Sequence, residues 1–413
     1  VTVREAEAYL LDLELFGMRF GLDRMHKLMT VLGMPQRRFA SIHVVGSNGK
    51  SSTTRMVAAI LERHGVATGS YTSPHLRSFA ERIEVGGSPL ADDEFAAAVE
   101  RVARAARLVD RTLEDDDRVT QFEALTAAAY TELARRGVEV AVVEAGLGGR
   151  YDATNVIPSK VQVLTGVGLE HTRWLGPTVA DIADEKLAVV RDHATLVIGP
   201  DLDPEAEAVA VRVAAERHAT LVRAPAAAEA PRRAPGAFQR RNFALARTAA
   251  EAFLGELDAA AVARAADEVE IPGRLQTVGQ RPLTLHDGAH NPSGAHALAE
   301  SLPEVMGERR PRVGVVGVLD DKDAAGMLRE LLPALDSVVF TRSAHPRSLS
   351  PATLMTLGEQ LGGPPAEVVA DPHAAVDRAR AVAGPDGAVL VTGSIYLIAD
   401  LVREDGAARA SAI

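Results

Sequence analysis

Gly46-Ser47-Asn48-Gly49-Lys50-Ser51-Ser52-Thr53 gathers the groups that hold a phosphate. Glycines let the backbone curl until several N–H groups converge on one anion. The N-terminus of a following helix adds its dipole, and Lys50 adds a positive charge. A hydroxyl at Ser51 or Ser52 can face a phosphate-bound Mg²⁺. Val44 stands where the common Walker A pattern has its first glycine, so only the shorter G-x-x-G-K-S remains. The bland alternative is a glycine turn capped by serines. The strand–loop–helix context favours the phosphate.

Other reactive types follow strand-like runs. Glu144 ends Ala141-Val142-Val143 and precedes Ala145-Gly146-Leu147-Gly148-Gly149-Arg150. It is placed like a metal-binding acid, or like a cap of the turn. His171 closes Gly168-Leu169-Glu170-His171. A lone His is more often structural, but with Lys50 and Glu144 on neighbouring strand ends it becomes a candidate ligand. Mg²⁺ prefers oxygen and keeps waters, so a His ligand would be atypical. Lys186, in Asp181-Ile182-Ala183-Asp184-Glu185-Lys186, reads from its neighbours as an exposed helical lysine paired with nearby acids. Asp287-Gly288-Ala289-His290-Asn291-Pro292 follows another strand-like run and reads as a ligand loop.

These groups need a scaffold that brings strand ends together. Ser41-Ile42-His43-Val44-Val45 is a β-branched run ending in the glycine turn, and residues 53–64 place Met56, Val57, Ile60 and Leu61 at helical spacing. Residues 138–144 and 161–167 predict two more buried strands, whose carboxyl ends are where parallel sheets place ligands. Residues 94–109 and 122–135 predict intervening helices. Residues 6–34 predict one opening amphipathic helix, with Leu10, Leu13, Leu15 and Phe16 at apolar positions.

Residues 200–235 change character, and Ala224-Pro225-Ala226-Ala227-Ala228-Glu229-Ala230-Pro231 reads as a surface connection. Helices are expected at 239–254 and 259–269. A second βα series begins at Pro272, with strands at 283–286, 313–316, 338–341 and 389–391 and helices at 293–302, 324–335 and 351–361. The expected class is α/β in two domains divided near Pro272, with no internal repeat of fixed period.

Composition sets limits. The chain has 413 residues, of which 47% are hydrophobic and 24% charged, an ordinary globular mixture. Its net charge of -11 argues against a broadly basic nucleic-acid surface, while leaving room for a local anion pocket. There are no cysteines, which excludes disulfides, thiolate metal sites and a cysteine nucleophile and fits a reducing, cytoplasmic setting. No segment reads as a transmembrane helix, and Val1-Thr2-Val3-Arg4-Glu5 is not a signal peptide.

The chain resembles the folylpolyglutamate synthase/dihydrofolate synthase family of the Mur ligase superfamily, from about Phe16 to Leu401. The landmarks run in family order. They are Gly46-Ser47-Asn48-Gly49-Lys50; Thr72-Ser73-Pro74-His75-Leu76 with Glu81-Arg82-Ile83; Phe122-Glu123; and Glu144-Ala145-Gly146-Leu147-Gly148-Gly149-Arg150 with Asp152-Ala153-Thr154-Asn155. Then come His171 with Leu175-Gly176, Glu185-Lys186, Gln239 with Asn242, Pro272-Gly273-Arg274, the loop 287–292, Asp321-Lys322-Asp323 and Gly393-Ser394.

The resemblance implies a P-loop-type parallel-sheet ATPase domain over 1–271, binding ATP and folate, and a smaller Rossmann-like α/β glutamate-ligase domain over 272–413. It implies an ATP-dependent amide ligase that works through an acyl phosphate, most simply as a monomer. Its substrates would be L-glutamate and either dihydropteroate or a reduced folate. By position, Asn48, Gly49, Lys50, Ser51 and Ser52 would hold the nucleotide phosphates. Asn242 and Arg274, with Asp287, would contact ATP from across a cleft. Ser73, Glu144 and His171 would bind Mg²⁺, and Lys186 would be a carbamylated lysine positioning a second Mg²⁺. His290 would serve catalysis and, with Ser394, the glutamate side; Phe122, Asp152 and Ala153 would form the pterin pocket.

The chain departs from the family at Ser51, Glu170, Leu187-Ala188 and Tyr151, and its interdomain stretch is short. Another Mur-type ligase, a P-loop NTPase without ligase activity and a catalytically silent nucleotide-binding regulator are the alternatives.

Overall fold

A computed structural model describes residues 1–13, 20–114, 117–226 and 231–403. The expected apolar positions Leu15 and Phe16, and residues 227–230 of the Ala/Pro stretch, lie outside the described residues.

The chain divides into two compact units. One takes Val1–Glu229 and Arg241–Asp267, the other Ala230–Arg240 and Glu268–Ala412. The second unit thus claims a short segment well before Pro272, and the division falls inside the helix Ala237–Leu254.

The first unit is built on eight strands: β1 (Ala40–Val45), β2 (Thr68–Tyr71), β3 (Ile83–Val85), β4 (Ser88–Pro89), β5 (Val140–Glu144), β6 (Val161–Leu164), β7 (Thr195–Ile198) and β8 (Thr220–Arg223). Their order is β4-β3-β2-β5-β1-β6-β7-β8, with β2 through β8 parallel neighbours except for the antiparallel β3 and β4 at one edge. β1 and β5 are buried over nearly their whole lengths, which is why both read as continuous apolar runs. β1 pairs with β5 on one side and β6 on the other, so their carboxyl ends emerge together.

Four helices share one core on this sheet: α1 (Val3–Asp12), α2 (Asp23–Val31), α4 (Asp92–Asp110) and α5 (Gln121–Arg135). Leu10, Met25, Leu28, Phe95, Val99, Leu125 and Tyr130 are all buried there. The single opening helix expected over 6–34 is therefore two, and Gly21, at φ 127°, lies in the described part of the break. The stretch 200–235 is not all connection, since α8 (Pro204–Glu216) and β8 lie inside it and α8 packs Val209 and Val213 into a second core.

The remaining helices of this unit include α3 (Lys50–Arg63), which leaves the glycine turn, the short α6 (Thr172–Leu175) and α7 (Val179–Leu187). Thr178 opens α7 with a reciprocal Thr178–Asp181 cap. Helix α9 (Ala237–Leu254) and α10 (Ala259–Glu268) close the segment.

The second unit is a six-stranded sheet of β9 (Gln276–Gln280), β10 (Leu283–His286), β11 (Arg312–Val316), β12 (Ser337–Phe340), β13 (Ala366–Val368) and β14 (Ala388–Thr392). The order is β13-β12-β11-β14-β10-β9, parallel except for β9. Helices α11 (Pro292–Met306), α12 (Ala324–Leu331), α13 (Pro351–Gln360), α14 (Pro372–Ala383) and α15 (Ile395–Val402) complete the α/β layers. No helix among the described residues is long and apolar enough to cross a membrane.

One buried ion pair ties α2 to α5. Arg24 Nε donates to both Glu123 oxygens at 3.1 Å, and its Nη1 donates to Asp117 at 3.2 Å. Burial raises the Glu123 pKa, and Arg24 works against that rise. Arg24→Ala strands this carboxylate, so a loss of about 3 kcal/mol is expected in urea unfolding. A loss within experimental error would show that Glu123 finds another cation.

Candidate active site

The phosphate loop begins where β1 ends. Gly46 has φ 149°, and a Cβ there would lie 2.0 Å from Thr165 Oγ1 beyond β6. The Thr165 hydroxyl donates to the Asn48 carbonyl at 2.6 Å, and Ser47 N donates to the Gly166 carbonyl at 2.8 Å. Neighbouring strand ends thus hold the loop from outside. Gly49 caps α3 in the left-handed region at φ 83°, where a Cβ would meet Asn242 Oδ1 at 2.5 Å. Asn242, expected from across a cleft, therefore sits beside the loop and in the same unit. The reason is that α9 continues beyond Arg240 into the first unit.

Two ammonium groups converge on this loop. Lys50 Nζ donates to the carbonyls of Gly46 at 3.0 Å and Ser47 at 3.2 Å. Lys186 Nζ donates to the same Gly46 carbonyl at 2.9 Å and to Glu170 Oε1 at 3.1 Å. Lys186 is only 1% exposed, which overturns its expected place on a solvated helix face. The neighbouring acids are engaged elsewhere, because Arg150 takes Asp184 at 2.8 Å and Glu185 at 3.0 Å. Adjacent helical positions point to different sides, so Lys186 faces inward while they face Arg150. Gly149 makes this packing possible, since a Cβ there would lie 2.4 Å from the Lys186 carbonyl oxygen.

Glu144 closes the site on the other side. Its Oε1 accepts the Ser51 hydroxyl at 2.9 Å and its Oε2 accepts Ser73 N at 3.0 Å. A buried carboxylate beside a phosphate-loop hydroxyl is an oxygen donor set that suits Mg²⁺. His171 is exposed and left-handed, at φ 48°, at the start of α6. Among the described residues no three His, Asp or Glu side chains gather into a metal-binding group. Any Mg²⁺ here would also draw phosphate and water oxygens into its shell.

The expected acceptor residues surround the turn after β5. Phe122 is half-buried with its ring against Gly146, where a Cβ would come within 2.5 Å. Asp152 is buried and accepts Leu147 N at 2.8 Å and Thr154 N at 3.0 Å. Ala153 belongs to the core.

In the second unit, Asp287 Oδ2 accepts Leu275 N at 2.9 Å and Oδ1 accepts Ala289 N at 2.8 Å. Burial raises its pKa, while Arg274 and those amides oppose the rise. Gly288 N donates to Gly273 O at 2.8 Å, so the loop carrying Arg274 is laced to the loop after β10. His290 Nδ1 is 2.9 Å from the Gly288 carbonyl, which can only accept, so that nitrogen carries the proton. Ser394 is buried and caps α15. β10 and β14 are parallel neighbours, so the His290 and Ser394 loops leave adjacent strand ends.

Sequence reasoning gave no role to the cluster of Asp321, Lys322 and Arg347. Lys322 and Arg347 lie 3.2 and 3.4 Å from the Asp321 carboxylate. The loops after β11 and β12 that carry them meet at a bridge between Leu319 and Ser348. The signal was available in the charged Asp321-Lys322-Asp323 triplet after a strand.

Residues 273–395 match the Mur ligase, glutamate ligase domain. A phosphate-loop α/β unit followed by that domain is the architecture of a Mur-type ATP-dependent ligase. Over 91% of its length the chain is 34% identical to the dihydrofolate synthase/folylpolyglutamate synthase of Mycobacterium tuberculosis, covering 88% of that protein. It is 36% identical, over 96% of its length, to a Haloferax volcanii protein described as a probable bifunctional folylpolyglutamate synthase/dihydropteroate synthase, and spans 50% of that relative. The structure of Escherichia coli FolC in complex with DHPP and ADP superposes with a TM-score of 0.85 at 28% identity, covering 97% of each chain. The chain belongs to the folylpolyglutamate synthase/dihydrofolate synthase family.

The buried Lys186 generates a prediction. Burial lowers its pKa from 10.5 to about 8; Glu170 opposes the shift and Lys50 adds to it. Between those values the unfolded chain holds the proton and the folded chain does not, so stability rises with pH across the window. Below pH 8 the group opposes folding by about 3 kcal/mol. Lys186→Met, measured by urea unfolding of CO₂-free apoprotein, should flatten that rise relative to wild type and gain stability at pH 7. Parallel pH profiles for the two proteins would refute the buried ammonium.

Proposed function

We propose that this chain is an ATP-dependent amide ligase that joins L-glutamate to the carboxylate of dihydropteroate, of a reduced folate, or of both. The observation that carries this reading is the convergence of Lys50 and Lys186 on the Gly46 carbonyl beside the buried Glu144. Two cations and a helix N-terminus converge on a site that calls for a polyanion. The first unit supplies Asn48, Gly49, Lys50, Ser51, Ser52 and Asn242 toward ATP. Arg274, set by Asp287, is a further contact we propose for ATP.

The acceptor carboxylate attacks the terminal phosphoryl group of ATP, giving an acyl phosphate and ADP. The glutamate amine attacks the acyl carbon, phosphate leaves, and the amine proton passes to a base, for which His290 is our candidate. His290 holds its Nδ1 proton against Gly288 O, so Nε2 is the nitrogen with a lone pair to take it. Ser394 belongs to the glutamate side. Phe122, Asp152 and Ala153 face the pterin; the FolC structure with DHPP and ADP supports that class of acceptor.

Mg²⁺, when bound, offsets repulsion between phosphate and carboxylate. Ser73 and Glu144 would hold it, with His171 as the further ligand. Lys186 would hold a second as a carbamate. Its pKa near 8 leaves a minor fraction of the amine neutral near pH 7, and the neutral amine adds CO₂ and releases a proton. Carbamylation turns the attraction to Glu170 into repulsion, so it is favoured only together with a cation.

The direct test supplies MgATP, glutamate and either dihydropteroate or tetrahydrofolate, and identifies products by mass. A glutamyl product with either acceptor is expected; ADP release indifferent to glutamate would leave an NTPase instead. Lys50→Ala should abolish ligation with unchanged circular dichroism.

The carbamate has its own test. Stripping CO₂ should lower activity, and bicarbonate should restore it. Lys186→Arg should be inactive, because guanidinium keeps its charge and does not take up CO₂. An active Lys186→Arg protein would overturn the carbamate.

A further inference from the structure

His43 lies in β1, shortly before the phosphate loop, and is completely buried. Its Nε2 is 2.8 Å from Thr154 Oγ1, itself completely buried. Thr154 Oγ1 is in short contact with Asp152 Oδ1, and Thr154 N donates to the same oxygen at 3.0 Å. Tyr130 Oη donates to the Thr154 carbonyl at 2.9 Å. Every polar group of Thr154 is therefore engaged.

The donors follow from chemistry. Asp152 accepts amides at both oxygens, as a carboxylate does. The Thr154 hydroxyl then spends its proton on Asp152 and accepts at its own oxygen. His43 Nε2 must be the protonated nitrogen. Nδ1 is left as a bare lone pair, and it has no partner among the described residues. Burial holds the ring neutral, with its pKa down near 3.

An apolar residue would fill the middle of a buried strand without burying an unsatisfied nitrogen. What His43 adds over an apolar residue is one directed N–H. That N–H leads through Thr154 to Asp152, and β1 leads on to the phosphate loop.

We infer that His43, acting through Thr154, is a positioning residue for Asp152: one buried hydrogen-bond chain fixes the acceptor-side carboxylate to the strand that carries the phosphate loop. The inference rests on the proposed contact between Asp152 and the acceptor. In it, β1 sets both ends of the phosphoryl transfer, the nucleotide through its loop and the acceptor through His43. Hydrogen-bond partners of metal ligands change affinity or activity by about tenfold or more when removed, and an effect of that order is expected for a partner of Asp152.

The test uses full-length enzyme and steady-state kinetics with each substrate varied in turn. Thr154→Val keeps shape and removes the hydroxyl, Thr154→Ser keeps the hydroxyl, and His43→Leu removes the N–H. Thr154→Val and His43→Leu should each raise the acceptor KM about tenfold, with the KM for ATP near wild type. The double variant should be no worse than either single one, because both break the same chain. Thr154→Ser should stay near wild type.

A uniform fall in kcat with every KM unchanged, or equal damage from Thr154→Ser, would mean that the chain is merely structural and overturn the inference. If His43→Leu does not fold, the Thr154 pair decides alone. Asp152→Asn separates the two layers. Should it leave the acceptor KM unchanged, the acceptor reading of Asp152 fails and the inference falls with it. Should it raise that KM while Thr154→Val does not, the acceptor reading stands and the positioning role fails.

Discussion

Two ammonium groups on one main-chain carbonyl is the arrangement on which the site depends. Lys50 and Lys186 both reach Gly46 O, from helices that belong to different parts of the first unit. Like charges at that separation repel, and the repulsion grows as water is excluded. Burial is the main reason the Lys186 amine gives up its proton readily; Glu170 opposes the loss and Lys50 adds to it. An incoming polyanion relieves the strain directly. The same crowding that lowers the stability of the empty site favours the phosphate-bound one.

Much of the surrounding structure serves to hold those two groups. Gly46 must come within contact of Thr165, and Gly149 must rest on the main chain of Lys186. At either place a methyl group would push the loop or α7 outward. The parallel strands β1, β5 and β6 share a register that brings Lys50, Glu144 and Thr165 to one edge of the sheet. Glu144 then links Ser51 to Ser73, so the loop's hydroxyl and the chain after β2 are tied by one carboxylate.

The parts legible in the sequence are those where burial on both faces writes a continuous apolar run. β1, β5 and β6 were legible for that reason, as were β10, β11, β12 and β14. β2, with the sequence TGSY, and β9, with QTVGQ, carry no such run because neighbouring strands rather than their side chains define them. Read from its neighbours alone, Lys186 falls on a solvated face, because a string of acids around a lysine is the ordinary pattern there; the resemblance places it in the site. Only the tertiary contact with Arg150 shows where those acids go. The approach of Asn242 to the loop is not legible because the position of a distant helix is not a local property of its sequence.

Carboxylates at strand ends show a deeper limit of motif reading. Glu144 ends β5, Asp152 lies in the loop after it and Asp287 directly follows β10; the first and last look like ligands in the sequence, and Asp152 does so through the resemblance. Asp287 spends both oxygens on main-chain amides of the loops around Arg274. Its geometry makes it a clamp that presents a guanidinium. Asp152 is held by two amides and the Thr154 hydroxyl, so its direction is fixed before any substrate arrives. Glu144 accepts the Ser51 hydroxyl of the loop and the Ser73 amide beyond β2. What separates the three is the replaceability of their present partners. A main-chain amide in a tight turn cannot leave, whereas a serine hydroxyl needs only a rotation. Of the three, Glu144 alone accepts a hydroxyl of the phosphate loop, and that follows from its donors rather than from its place at the end of a strand.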